Sequence, residues 1–150
     1  MLEQPILPAP EVFSLNFPSS HPFETAAFER FTLLASNGII IGQPRGSGTF
    51  GQFFSGFNLI TGEPVGIKEV TEFKQSEAQT SWEVFALEQF SGHPNFLTFI
   101  QYIKGKNGLS YILTELADMD LGFVRSIVGP FPMSIVAYLG MQVSLPQLPL

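Results

Sequence analysis

The chain has no cysteine, which excludes disulfide bonds, cysteine-ligated zinc and thiol catalysis and fits a reducing compartment. Positive charge is scarce: seven Lys and Arg stand against thirteen Asp and Glu, a formal net charge of -6. A surface built for a phosphate backbone needs the opposite balance, so nucleic acid is not an expected partner. Long apolar runs are missing as well. The uncharged stretch 126–150 is cut by Pro130, Pro132, Pro146 and Pro149, so it does not make a membrane span. The opening Met1-Leu2-Glu3-Gln4-Pro5 has neither the basic nor the apolar region of a secretory signal. Cytoplasm or nucleus is the expected location. The 150 residues, 45% of them apolar, leave room for one compact domain.

Residues 1–37 carry five prolines and scattered phenylalanines, with one short stretch, Glu24 to Leu34, that could hold a helix. They read as a mostly irregular leader, either a loosely packed tail or a segment that docks on the folded part of the chain. From Gly38 the texture changes to short strand-like runs between turn signals: Ile39-Ile40-Ile41, a glycine turn at Gly46 to Gly51, Gln52 to Phe57, the turn Thr61-Gly62-Glu63-Pro64, and Val65 to Val70. The spacing predicts a helix over Ser76 to Phe90, with Ser76 as N-cap and Trp82, Phe85, Leu87 and Phe90 supplying apolar contacts. Ser91-Gly92-His93-Pro94 ends it. Strands are expected at Phe96 to Tyr102 and Leu109 to Leu116, joined by the turn Lys104-Gly105-Lys106-Asn107-Gly108, and short helices at Leu121 to Val128 and Met133 to about Leu145.

Gly46-Ser47-Gly48-Thr49-Phe50-Gly51 fits a GxGxxG pattern, in which absent side chains let backbone N–H groups approach phosphate oxygens. A dinucleotide-binding reading requires a helix to start inside the motif, but Gln52-Phe53-Phe54 continues as strand. The glycines therefore belong to a hairpin, which is either an ordinary glycine-rich turn or a phosphate cradle. Lys68, in the apolar run Val65-Gly66-Ile67-Lys68, is by itself most simply a solvated edge residue, and Glu83 a surface residue of its helix.

Taken together these motifs resemble the eukaryotic-type protein kinase superfamily, serine/threonine-like. Val65-Gly66-Ile67-Lys68 is similar to that family's Val-Ala-Ile-Lys strand, and Tyr111-Ile112-Leu113-Thr114-Glu115-Leu116-Ala117 to the strand and hinge that join its lobes. The resemblance runs from Gly38 to about Leu145. It implies an α+β fold: a five-stranded antiparallel sheet with one helix forming the small lobe over 38–117, and the end of the hinge with the first helices of the large lobe over 118–150. It also implies an ATP site. Gly46, Ser47, Gly48 and Gly51 would meet the phosphates, Lys68 would pair them while held by Glu83, and Phe53 and Gly66 would line the purine wall. Thr114 would stand at the gatekeeper position, Glu115 and Ala117 would offer backbone groups to the adenine, and Asp120 would reach the ribose. Mg²⁺ enters by family analogy only.

The chain departs from the family in ways that lower the expected activity. Its only aspartates are Asp118 and Asp120, and no asparagine follows Asn107, so the catalytic-loop and metal-binding residues of a kinase are absent. The expectation is a truncated kinase-like domain, inactive alone, that binds ATP weakly or not at all. Arg45 and Phe53 replace smaller apolar residues around the purine. The apolar segment Ile135 to Leu145 is expected to contact another protein or a second copy. The alternatives are a non-catalytic, pseudokinase-like interaction module and an unrelated glycine-rich β domain.

Overall fold

A computed structural model describes residues 22–106 and 108–144. Eight of its nine elements lie close to the expected ones: β1 (Ile39–Gly48), β2 (Gly51–Asn58), β3 (Glu63–Thr71), α2 (Glu77–Phe90), β4 (Phe99–Lys104), β5 (Leu109–Glu115), α3 (Leu121–Val128) and α4 (Met133–Ser144). The ninth is α1 (Pro22–Ser36). All strand pairs are antiparallel and the spatial order is β1-β2-β3-β5-β4, so the β4–β5 hairpin lies beside β3 and α2 spans the crossover. This is an α+β arrangement consistent with a kinase small lobe.

Alternation along β3 assigns its side chains to two faces. Val65, Ile67 and Glu69 point one way, and Gly66, Lys68 and Val70 the other. The first face carries the main core: Phe54, Ile67 and Leu113 are register partners, joined by Ile39, Val65, Ile103 and Tyr111. Leu34 of α1 closes this cluster and is fully buried. The expectation of a mostly irregular leader to residue 37 thus gives way from Pro22 onward, and the part of that reading on residues 1–21 lies outside the described residues.

The physical reason is the set Arg30, Leu33, Leu34 and Asn37, spaced i, i+3, i+4 and i+7 on one helical face. Glu69 is 6% exposed and would be an uncompensated buried charge without a partner. Arg30 supplies that partner with two contacts to the carboxylate, at 2.5 and 2.8 Å, and the Tyr111 hydroxyl donates a third at 3.0 Å. The guanidinium also lies 5.2 Å from the Phe54 ring centre. Burial first, then the neighbouring Glu69 carboxylate, pushes the Tyr111 hydroxyl pKa well above its ordinary value. The helix ends where the Asn37 and Gly38 amides donate to the carbonyls of Leu34 and Ala35, with Gly38 at φ 74°.

Two local expectations change. Strand β4 begins at Phe99, not Phe96, because the Phe96 amide closes the His93-Pro94-Asn95 turn on the His93 carbonyl and the Phe96 ring stacks on Phe90 at 4.6 Å. On α2, Trp82 and Phe85 are exposed and touch each other edge to face instead of entering a core; Thr80 is its buried residue. Polar contacts hold this helix. Ser76 and Gln79 form a capping box, and Lys104 pairs with Glu77 across to β4.

Candidate functional site

Of the sequence-expected residues, Gly51, Phe53, Gly66 and Lys68 share the second face of the sheet. Gly51 is buried there, and a Cβ on it would lie 2.1 Å from the Glu69 carbonyl, so only glycine lets β2 approach β3 this closely. Gly46 and Gly48 are different: a Cβ on either would meet nothing within 4 Å. Their lack of side chains serves no internal packing. Ser47 lies exposed between them.

Lys68 projects from β3 to α2 and donates to both carboxylate oxygens of Glu83, at 2.6 and 2.7 Å. The lysine side chain is 12% exposed and the glutamate 31%. Thr80, Glu83 and Leu87 share one face of α2, and the capping box at Ser76 fixes where that helix begins and hence which residue meets Lys68. Gln75, buried in the β3–α2 connection, donates to Glu83 Oε2 at 2.8 Å and accepts from Lys68 at 3.5 Å. Above the ammonium lie the rings of Phe50 and Phe53, each with its centre 5.9 Å away. Opposite charge, an amide and two aromatic faces thus surround one cation.

The end of β5 is contiguous with this cluster. Gly66 pairs with Thr114, and a Cβ on Gly66 would lie 3.1 Å from the Glu115 carbonyl and 3.2 Å from Thr114 Oγ1. Thr114 donates its hydroxyl to that same carbonyl at 3.0 Å. The Glu115 amide is engaged with the Thr98 carbonyl, so of its backbone polar groups the carbonyl is the one that faces the site. Ala117 is exposed beyond it. Asp120 caps α3 by accepting from the Phe123 amide at 2.8 Å, which commits one of its oxygens. Arg45 crosses from the hairpin to the segment after β5, its guanidinium 3.4 Å from the Asp118 carbonyl.

Gln75 and Phe50 escape the sequence reading. A lone glutamine ahead of a helix cap carries no periodicity, and Phe50 reads as part of the glycine loop. Arg30 and Glu69 escape for another reason: they are 39 residues apart, so no local pattern links them. Among the described residues no group of three or more His, Cys, Asp or Glu comes together as a metal site, and no helix is long and apolar enough to cross a membrane.

No family model matches the chain. It is 35% identical over 83 residues to mitogen-activated protein kinase 15 of Rattus norvegicus, covering 53% of this chain and 15% of the relative, and equally so to the Mus musculus protein. To mitogen-activated protein kinase kinase kinase ANP1 of Arabidopsis thaliana it is 28% identical over 103 residues, covering 63% of the chain and 16% of the relative. The chain therefore spans about one sixth of the length of these relatives. Over half its length it is similar to protein kinases, and its five-stranded sheet agrees with that likeness: the chain contains a protein-kinase-like region.

Proposed function

We propose that this face of the sheet is the nucleotide site of a kinase-like small lobe, built to hold ATP by its phosphates. The bidentate pairing of Lys68 with Glu83 carries the reading. A cation oriented by a helix carboxylate below a glycine hairpin is the arrangement that positions a polyphosphate. The open space at Gly46 and Gly48 supports it, since within the hairpin over Lys68 it leaves the backbone open to a ligand. Thr114, Gly66 and Phe53 line the purine side, the Glu115 carbonyl and Ala117 backbone face the adenine edge, and Asp120 lies toward the ribose.

Mg²⁺ is bound in such sites through one or two carboxylates together with the phosphates, so the gathered residues here supply no cage of their own. ATP, when bound, supplies the phosphoryl group of the kinase reaction, and in the related enzymes named above the acceptor belongs to a protein. These 150 residues contain aspartate only at 118 and 120, and Asp120 is engaged in capping α3. Phosphoryl transfer to protein Ser or Thr is therefore the role of the family, and the proposal for this chain alone is truncated function: binding without transfer.

Two observations favour a second reading, a non-catalytic interaction module of an intracellular protein. The Phe50 and Phe53 rings stand against Lys68 where phosphates and purine would enter, and α4 exposes Ile135, Val136, Tyr138, Met141 and Val143. Such a surface suits another protein or a second copy of the chain.

Calorimetric titration with ATP and magnesium separates the two. The nucleotide reading expects millimolar binding, about 4 kcal/mol, abolished by Lys68→Met and strengthened by Phe53→Val. ATP affinity indifferent to Lys68→Met would overturn it.

A further inference from the structure

We propose that Gln75 is a positioning residue that locks Glu83 onto Lys68, the third member of what is otherwise a two-residue device. This deepens the nucleotide reading and rests on it for its purpose, but its geometry stands alone. The Lys74 and Gln75 amides both donate to the Thr71 carbonyl, at 2.9 and 3.0 Å, which folds Glu72-Phe73-Lys74 into a turn at the end of β3. That turn brings Gln75 back beneath the sheet directly ahead of Ser76, the cap of α2. Its side chain is thereby delivered to both members of the ion pair, seven residues after Lys68 and eight before Glu83.

The chemistry of the contacts fixes the orientation of the amide. An ammonium offers only donors and an ionised carboxylate only acceptors, so a glutamine joins both only with its oxygen on Lys68 and its nitrogen on Glu83. Turning the amide over would oppose like partners at both ends. The arrangement also completes the lysine. An ammonium has three N–H groups; two are directed to Glu83 Oε1 and Oε2 and the third to Gln75 Oε1. The last contact is the longest, at 3.5 Å, and it marks the donor that an arriving phosphate oxygen would claim most easily. Glu83 would keep its hydrogen bond from Gln75 Nε2 at 2.8 Å while that exchange took place.

Burial distinguishes this residue from a surface glutamine. Gln75 is 4% exposed, and no buried side-chain nitrogen or oxygen among the described residues lacks a partner. A polar side chain held this deeply has a cost in desolvation that only its two partners offset. Both belong to the site.

The test is hydrogen exchange of the Lys68 ammonium, read from its Nζ–H signals by ¹⁵N NMR at neutral pH. Gln75→Leu, close in volume but without polar atoms, is expected to speed that exchange at least tenfold, and Gln75→Asn, one methylene too short, to act alike. Thr80→Val, which loosens the same helix without touching the pair, is the structural control and is expected to leave exchange unchanged. Equal exchange in the unaltered protein and in whichever Gln75 variant folds overturns the proposal, as does equal acceleration by Thr80→Val. ATP–magnesium titration of the same samples keeps the two ideas apart. No binding by the unaltered protein, alongside accelerated exchange in Gln75→Leu, removes the nucleotide reading and leaves Gln75 in its role.

Discussion

Replacing Arg30 by Gln is the sharpest perturbation of the fold, because it asks whether α1 belongs to the folded unit. Glutamine and arginine have similar helix propensities, so the helix itself is little affected. What is lost is the bidentate contact to Glu69, whose side chain is 8% exposed against 30% for Arg30. Breaking a buried ion pair by removing one partner costs about 3–5 kcal/mol. Solvent reaches part of the guanidinium, and the Tyr111 hydroxyl stays on the carboxylate, which brings the expected loss down to about 2–3 kcal/mol. That is a large share of the roughly 5–15 kcal/mol that stabilises an ordinary domain. Urea denaturation followed by tryptophan fluorescence would show it as a lower midpoint at unchanged slope. Adding Glu69→Gln to Arg30→Gln removes the stranded charge and should recover at least about 1 kcal/mol, giving a non-additive cycle. A loss below about 0.5 kcal/mol for Arg30→Gln would refute the reasoning, and α1 would then be an appendage of the sheet.

Other consequences are simpler to state. Leu34→Ala should destabilise by about 2–5 kcal/mol as a core truncation, measurable in the same denaturation experiment. The raised Tyr111 pKa means that the folded state favours the neutral phenol, so its contribution is fully present below the ordinary tyrosine pKa of about 10 and is lost as pH rises above it. Tyr111→Phe should flatten the fall of stability above pH ~10, and an unaltered alkaline profile would contradict this assignment. Removing residues 126–150 takes away the exposed apolar side chains of α4 while leaving every strand contact, so solubility should rise with the sheet's circular dichroism retained. Unfolding of the shortened chain, with the full chain a soluble monomer, would place α4 in the core.

The sheet and its helix were legible because glycine turns punctuate the strands and because Ser76 and the Ser91-Gly92-His93-Pro94 run bound α2 on both sides. Glu83 was singled out only by the resemblance to kinases, since by itself it read as a surface residue of its helix; the structure sets it against Lys68. What was illegible shares a physical cause: polar residues buried by distant partners. Arg30 looks like a solvated helix residue until Glu69 is seen behind it, and Gln75 looks like linker until Lys68 and Glu83 are seen on either side. Trp82 and Phe85 misled in the opposite direction. Their three-residue spacing suggests an inward stripe, but the face of α2 that meets the sheet carries Thr80 and Glu83.

The central claim is that the glycine hairpin, Lys68 and the hinge form one nucleotide site, and amide and methyl NMR during an ATP–magnesium titration tests it most directly, since weak binding is still mapped residue by residue. The account expects concerted, saturable shifts at Gly46 to Gly51, Lys68, Glu83 and Glu115 to Ala117, absent in Lys68→Met. Shifts confined to the α3–α4 surface, or none up to millimolar nucleotide, would contradict it.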